Sequence, residues 1–373
     1  MYCTVIAWGD CFDPPVLMCH GQVDSAACFR PLVKLLPRNY YYIAMELPGN
    51  GKSDPVPPGL MMSAYEILYA IKTVVDHFRW DSFIYIAHSL GTLLGKLYSL
   101  SFPGRISHII DLDPTAAYHT VSPEQLPAWY RQFFVSYFEK YKKFVSPKEN
   151  APKYTYEKAF EMMKKNRGLT DDATRTALER ILEPAGKGLV RFTFDQRAKL
   201  ITLPPLPPAY LKALYTSIAT PTLSILAEDS VQNGAYKMAD FVFVDDCERQ
   251  YYVKRVLGNH DVHVNYPERI APHIIHFLLN SENSTSGSCH CGHACHCITS
   301  WFVDKRPDGM SLVPWRMGRP LVWDFSYVDT VAPSHLASTG CRKRAGVAAT
   351  HHKTIKHRKY SSLGNGKLCS IWS

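Results

Sequence analysis

With 373 residues, 46% of them hydrophobic and 12% aromatic, the chain can bury a large core, which excludes wholesale disorder and a small disulfide-stapled scaffold. The formal net charge is +9, but residues 281–373 carry 12 Lys/Arg against 5 Asp/Glu, so seven of the nine positive charges belong to that tail. Residues 1–280 balance at 30 against 28, a near-neutral body not built to hold nucleic acid or a polyphosphate.

Short apolar runs alternate with amphipathic stretches from the start. Residues 3–8, 16–19, 41–45, 83–87 and 106–112 read as buried strands, and 28–36, 63–78 and 90–102 as helices between them. Near-continuous apolar strands alternating with helices predict an α/β fold with a mostly parallel sheet, helices on both faces and ligands outside the carboxyl ends of the strands. From 114 to about 208 the pattern turns helical and rich in Lys, Arg and aromatics, predicting an inserted cap. Ser122-Pro123-Glu124-Gln125 gives a capped start, and Trp129, Phe133, Tyr137 and Tyr141 then recur every four residues. That aromatic face suits packing, and part of it, Trp129 and Phe133, suits the lining of a hydrophobic pocket. Residues 223–226 and 251–256 resume the sheet, and a helix over 267–279 closes it.

The chemistry concentrates at strand ends. The strand ending at Ala87 runs directly into His88-Ser89-Leu90-Gly91 and then a helix. A serine on such a turn needs small residues two before and two after it, and Ala87 and Gly91 meet that need. The turn sets the Ser89 hydroxyl at a helix N-terminus, where the Leu90 N–H helps to hold an oxyanion. The plainer role for Ser89 is an N-cap. After the strand 16–19, His20-Gly21-Gln22 forms a small-residue loop able to supply a second oxyanion N–H from Gln22. After 251–256 comes Gly258-Asn259-His260, placing a base at a strand end. A Ser-first, His-last order is that of the α/β-hydrolases.

His20-Gly21, the 46–53 turn, Ala87-His88-Ser89-Leu90-Gly91 and Gly258-Asn259-His260-Asp261-Val262-His263 together resemble an α/β-hydrolase. Gly188-Leu189-Val190 and Asp195-Gln196-Arg197 narrow the resemblance to the serine hydrolase-like, or kraken-like, branch, over about residues 5–279. The resemblance implies a serine hydrolase of carboxylic esters or related acyl compounds. Ser89 would be nucleophile and His260 base, with Gln22 and Leu90 at the oxyanion and His20, Gly21 and His88 bordering a small-molecule acyl substrate. It implies no cofactor and no metal. A non-catalytic member binding a hydrophobic ligand or partner under its cap is the competing reading. The third triad member has two candidates: Asp229, one residue before the position the family favours, where Ser230 stands, and Asp113 after the strand 106–112. Gly49-Asn50-Gly51-Lys52-Ser53 is not a phosphate loop, because Glu46 stands where the first glycine would be required. Relatives begin one strand earlier than this chain, so the sheet is expected to lack an edge strand.

The scattered cysteines predict reduced thiols and a cytoplasmic setting, with a peroxisomal one as alternative, and no run of about 18 apolar residues predicts a membrane span. Residues 281–373 read as a basic tail of low order, in which 306–336 resembles a fragment of retrotransposon-derived frames. The crowded Cys289–Cys297 run lacks the spacing of a folded zinc site.

Overall fold

The structure, a computed structural model, describes residues 3–57, 59–285, 309–314 and 320–323. It divides into two units, 1–305 and 306–373. In the first, β1 (Val5–Trp8), β2 (Pro15–Cys19), β3 (Tyr41–Met45), β4 (Phe83–His88) and β5 (Ile106–Leu112) form the sheet. It is completed by β8 (Thr222–Ala227) and β9 (Tyr251–Val256), while β6 (Leu182–Pro184) and β7 (Val190–Phe192) form a separate hairpin. The strand order is β1-β3-β2-β4-β5-β8-β9; β1 runs antiparallel to β3 along one edge and every other pairing is parallel. β2, β3 and β4 are buried almost throughout, as their unbroken apolar sequences require of a sheet covered on both faces.

The main helices follow from local chemistry. Ahead of α1 (Ala64–Phe78), Ser63 Oγ accepts from Tyr65 N and Glu66 Oε2 accepts from Ser63 N at 3.0 Å, a reciprocal cap. Its buried face, Ile67, Ile71, Val74 and Val75, repeats at helical spacing. In α2 (Leu90–Ser101), Gly95 lies so close to β4 that a β-carbon there would fall 2.3 Å from the Tyr85 ring. Lys96, on the same helix, reaches Asp111 of β5 at 2.8 Å in a fully buried ion pair. The helix expected over 28–36 is instead a 3₁₀ turn, Ala26–Phe29, followed by one α-turn, Arg30–Val33. Pro31 lacks an N–H and fits only a first turn, and Pro37 stops the segment soon after.

The cap is not helical throughout, as the sequence suggested. Short helices between Leu126 and Phe144 lead to α3 (Tyr156–Arg167) and α4 (Asp171–Ile181), and then the chain turns back through the β6–β7 hairpin. Gly186 and Gly188, both with positive φ, make that turn possible. Two cap arginines fix α3 and α4 to the body. Arg180 Nε and Nη2 meet the fully buried Glu46 at 2.5 and 2.9 Å, and Arg167 reaches Asp24 and Asp261. Glu46 also accepts from Lys52 N at 2.7 Å, so the 46–53 turn is held around a carboxylate, not a phosphate. Arg197 pairs with Asp195 and donates to the carbonyls of Pro57 and Leu60 at 2.9 Å, binding the 56–60 loop to the end of the cap.

The closing helix α5 (Ala271–Thr285) runs past Leu279, where the sequence placed its end. No disulfide forms among the described cysteines, and no described helix is long and apolar enough to cross a membrane. In the second unit, β10 (Gly309–Pro314) and β11 (Pro320–Trp323) pair antiparallel. The Cys289–Cys297 run and the basic clusters beyond 340 lie outside the described residues.

Candidate active site

Ser89 sits between β4 and α2 with φ +51° and ψ −117°, a conformation that non-glycine residues rarely adopt. Such strain persists only where the surroundings enforce it, and here they do. A β-carbon on Gly91 would lie 2.5 Å from Cys19 O, and one on Gly21 would lie 3.1 Å from the Ser89 β-carbon. The loop after β2 therefore presses against the turn, holding Gly21 and Gln22 beside the serine. Leu90 opens α2 directly after it.

His260 lies in the loop after β9. Its Nδ1 is 2.6 Å from Asp113 Oδ2, and its carbonyl oxygen is 2.9 Å from His88 Nε2. A carboxylate facing Nδ1 holds the proton there and leaves Nε2 as the acceptor. Asp113 follows β5 with φ +43°, and its buried carboxylate also accepts from Ala227 N at 2.9 Å, Ser230 Oγ at 2.6 Å and Tyr236 OH at 2.6 Å. Of the two acids the sequence offered, Asp113 is the one brought to His260. Asp229 is exposed in the first turn after β8, its backbone N–H bonded to Gly258 O at 3.1 Å, and it stands at the cavity wall. The family resemblance pointed to an acid one residue further on. In this chain that position is Ser230, a donor to Asp113.

A cavity of about 460 Å³ opens over these groups, bordered by Gly21, Gln22, His88, Ser89, Asp229 and His260, with Asn166 and Arg167 from the cap. Trp129 and Phe133, expected at the substrate, do not border it. Phe133 is buried against Trp129 with ring centroids 5.7 Å apart, so this stripe packs the cap itself. His20, also expected there, is fully buried: Nε2 accepts from Leu47 N at 3.0 Å and Nδ1 lies 2.7 Å from Gly21 O. It ties the loops after β2 and β3 together. The lining side chains are polar where the sequence suggested aromatic ones.

A buried ionic cluster that the sequence did not disclose lies along the cavity wall. Arg167, at the C-terminus of α3, donates Nη2 to Asp24 Oδ2 at 2.8 Å, Nε to Asp261 Oδ2 at 3.1 Å and a further bond to Asp261 Oδ1. Burial alone would raise the Asp24 carboxyl, but the Arg167 guanidinium overrides it and holds the group well below its ordinary range. His88 and His263 lie beside it with ring centroids 4.0 Å apart, and burial pushes both imidazoles down, His263 to about 3. Asp24, His88, Asp261 and His263 bring ligand atoms within 4.8 Å of one another. Both carboxylates already bond the Arg167 guanidinium, which offsets one of their two charges. Asp24 and Asp261 had one signal in the sequence, their closeness to Gln22 and to His260; Arg167 had none, since an arginine in a last helical turn reads as a dipole partner.

Residues 14–180 match the α/β hydrolase fold family. The chain has the α/β-hydrolase fold. It is similar to the human serine hydrolase-like protein 2, 26% identical over 73% of this chain and 89% of that one. It is 27% identical to the serine hydrolase-like protein of Danio rerio, over 73% of this chain and 83% of the other. Among solved structures, a hypothetical protein from Pseudomonas aeruginosa superimposes with a TM-score of 0.62 at 20% identity, covering 74% of this chain and 94% of that one. The thioesterase domain of the curacin biosynthetic pathway does so at 0.58 and 17%, covering 73% and 94%. At these identities the structures establish the shared fold: a mostly parallel sheet flanked by helices.

Proposed function

We propose that this α/β-hydrolase cleaves carboxylic esters or related acyl compounds through a Ser89–His260–Asp113 triad. The observation carrying the proposal is the 2.6 Å contact between His260 Nδ1 and Asp113 Oδ2 beside a cavity that also exposes the strained Ser89. Ser89 Oγ attacks the acyl carbonyl as His260 Nε2 takes its proton. Asp113 keeps the imidazole in the tautomer that allows this and balances the imidazolium that forms. The backbone N–H groups of Leu90 and Gln22 hold the developing oxyanion. His260 then protonates the leaving alcohol, and a water deprotonated by His260 repeats the attack on the acyl-enzyme.

The polar wall favours a substrate whose portion beside Ser89 carries hydrogen-bonding groups. Asn166, Asn233 and Asn259 border the cavity together with Arg167. A panel of nitrophenyl and thioester substrates, graded in acyl length and polarity, tests this with wild type and Ser89→Ala. Turnover that vanishes in Ser89→Ala and is fastest for short or polar acyl groups supports the reading. Turnover equal in both proteins overturns it.

A further inference from the structure

The cap helices between Leu126 and Val145 carry two apolar stripes, and only one of them is used. The inner stripe, Phe133 and Tyr137, is buried, and Tyr137 OH reaches Leu60 O at 2.9 Å. The outer stripe, Tyr130, Phe134, Phe138, Tyr141 and Val145, advances by four, four, three and four residues, so it runs along one side of the segment. The described residues leave it open: Tyr130 is 53% exposed and Phe138 66%. Tyr130 and Phe134 stack at 5.1 Å, and Phe134 and Phe138 rest on the inner rings Trp129 and Tyr137, leaving their outer faces free.

Exposed Lys140, Lys142 and Lys143 interleave with this stripe, and Glu139 is the single acid between Val135 and Pro147. Aromatics set among lysines discriminate between occupants. Protein interfaces concentrate Tyr and Phe but are depleted in Lys, whereas a lipid surface takes both: rings at the headgroup boundary and ammonium groups against phosphates. A second copy would bring its own lysines against these in a two-fold contact. We infer that the outer stripe docks the cap on an anionic lipid surface, with Tyr130 and Phe138 entering the headgroup layer and Lys140, Lys142 and Lys143 facing its phosphates. The inference is independent of the proposed hydrolysis.

Flotation of the full chain with phosphatidylcholine vesicles, with and without about one third phosphatidylserine, tests it. The wild type should float with the anionic vesicles and be released by 1 M salt, on the order of the Debye screening expected. Tyr130→Ser/Phe138→Ser should lower partitioning at least about tenfold. Lys140→Gln/Lys142→Gln/Lys143→Gln should lower it roughly 100-fold. All these side chains are exposed, so unchanged circular dichroism and melting confirm that the variants fold. Three results overturn the inference: no flotation of folded wild type, flotation that survives both sets of substitutions, which assigns binding to another basic segment, or a concentration-dependent dimer abolished by Phe138→Ser.

Discussion

Ser230 donates its hydroxyl to Asp113 Oδ2 at 2.6 Å, the same oxygen that faces His260 Nδ1. Ser230, in the first turn after β8, thus supports an acid carried at the end of β5. Asp113→Asn should lower kcat by about 10⁴, the cost of the wrong imidazole tautomer, whereas Asp229→Asn should change it by less than about threefold. Because the two sites touch, Ser230→Asp in the Asp113→Asn background should restore part of the lost rate. In the wild-type background it should lower the rate by setting two carboxylates together. Steady-state kinetics on the four proteins distinguishes these outcomes, and equal losses for Asp113→Asn and Asp229→Asn would remove Asp113 from the mechanism.

Arg167 joins the loop carrying Gln22, the cap and the loop carrying His260 through Asp24 and Asp261. Replacing it by Met leaves two buried carboxylates facing each other without a counter-charge. Such a loss costs about 3–5 kcal/mol. Urea unfolding of Arg167→Met should show it, with much of the loss recovered by adding Asp24→Asn.

The buried ion pair of Lys96 and Asp111 makes a parallel case without any link to the cavity. Burial raises the Asp111 carboxyl and the Lys96 ammonium opposes that shift. Lys96→Met should therefore destabilise strongly, while Lys96→Met/Asp111→Leu should return toward wild-type stability, since a packed apolar pair replaces a buried ionic one at little cost. Melting temperatures of the two variants decide this.

Three buried histidines set the pH dependence of stability. Burial depresses His20, His88 and His263, so each binds its proton less well folded than unfolded. Their contribution is fully present above the unfolded pKa of about 6.5 and is lost as pH falls toward the folded value, about 3 for His263. Stability should be level above pH 7 and fall by about 1.4 kcal/mol per histidine per pH unit below about 6. His263 has both ring nitrogens buried without partners, so His263→Phe should flatten part of this slope. A slope unchanged by that substitution would contradict the assignment.

The fold was legible in the sequence where chemistry is local. Unbroken apolar strands predicted the parallel sheet, Ser122 and Gln125 marked a capped start, and Ala87 and Gly91 marked the turn at Ser89. Misreadings arose where distant segments decide. Trp129 and Phe133 have the periodicity of a pocket wall and of a packing face alike, and only the positions of Asn166 and Arg167 show which group reaches the cavity. The choice between Asp113 and Asp229 turned on which carboxylate faces His260 Nδ1, which no spacing records. The β6–β7 hairpin was concealed because three-residue strands leave too few positions for an alternation to emerge.

The central claim is that Ser89 is a nucleophile activated by His260. Reaction of the full chain with a fluorophosphonate, followed by intact mass and peptide mapping, measures it directly. The account predicts one adduct per chain, on Ser89, absent in Ser89→Ala and formed at least about 10³-fold more slowly in His260→Ala. Folded wild type that forms no adduct, or an adduct mapped to another residue, would contradict it.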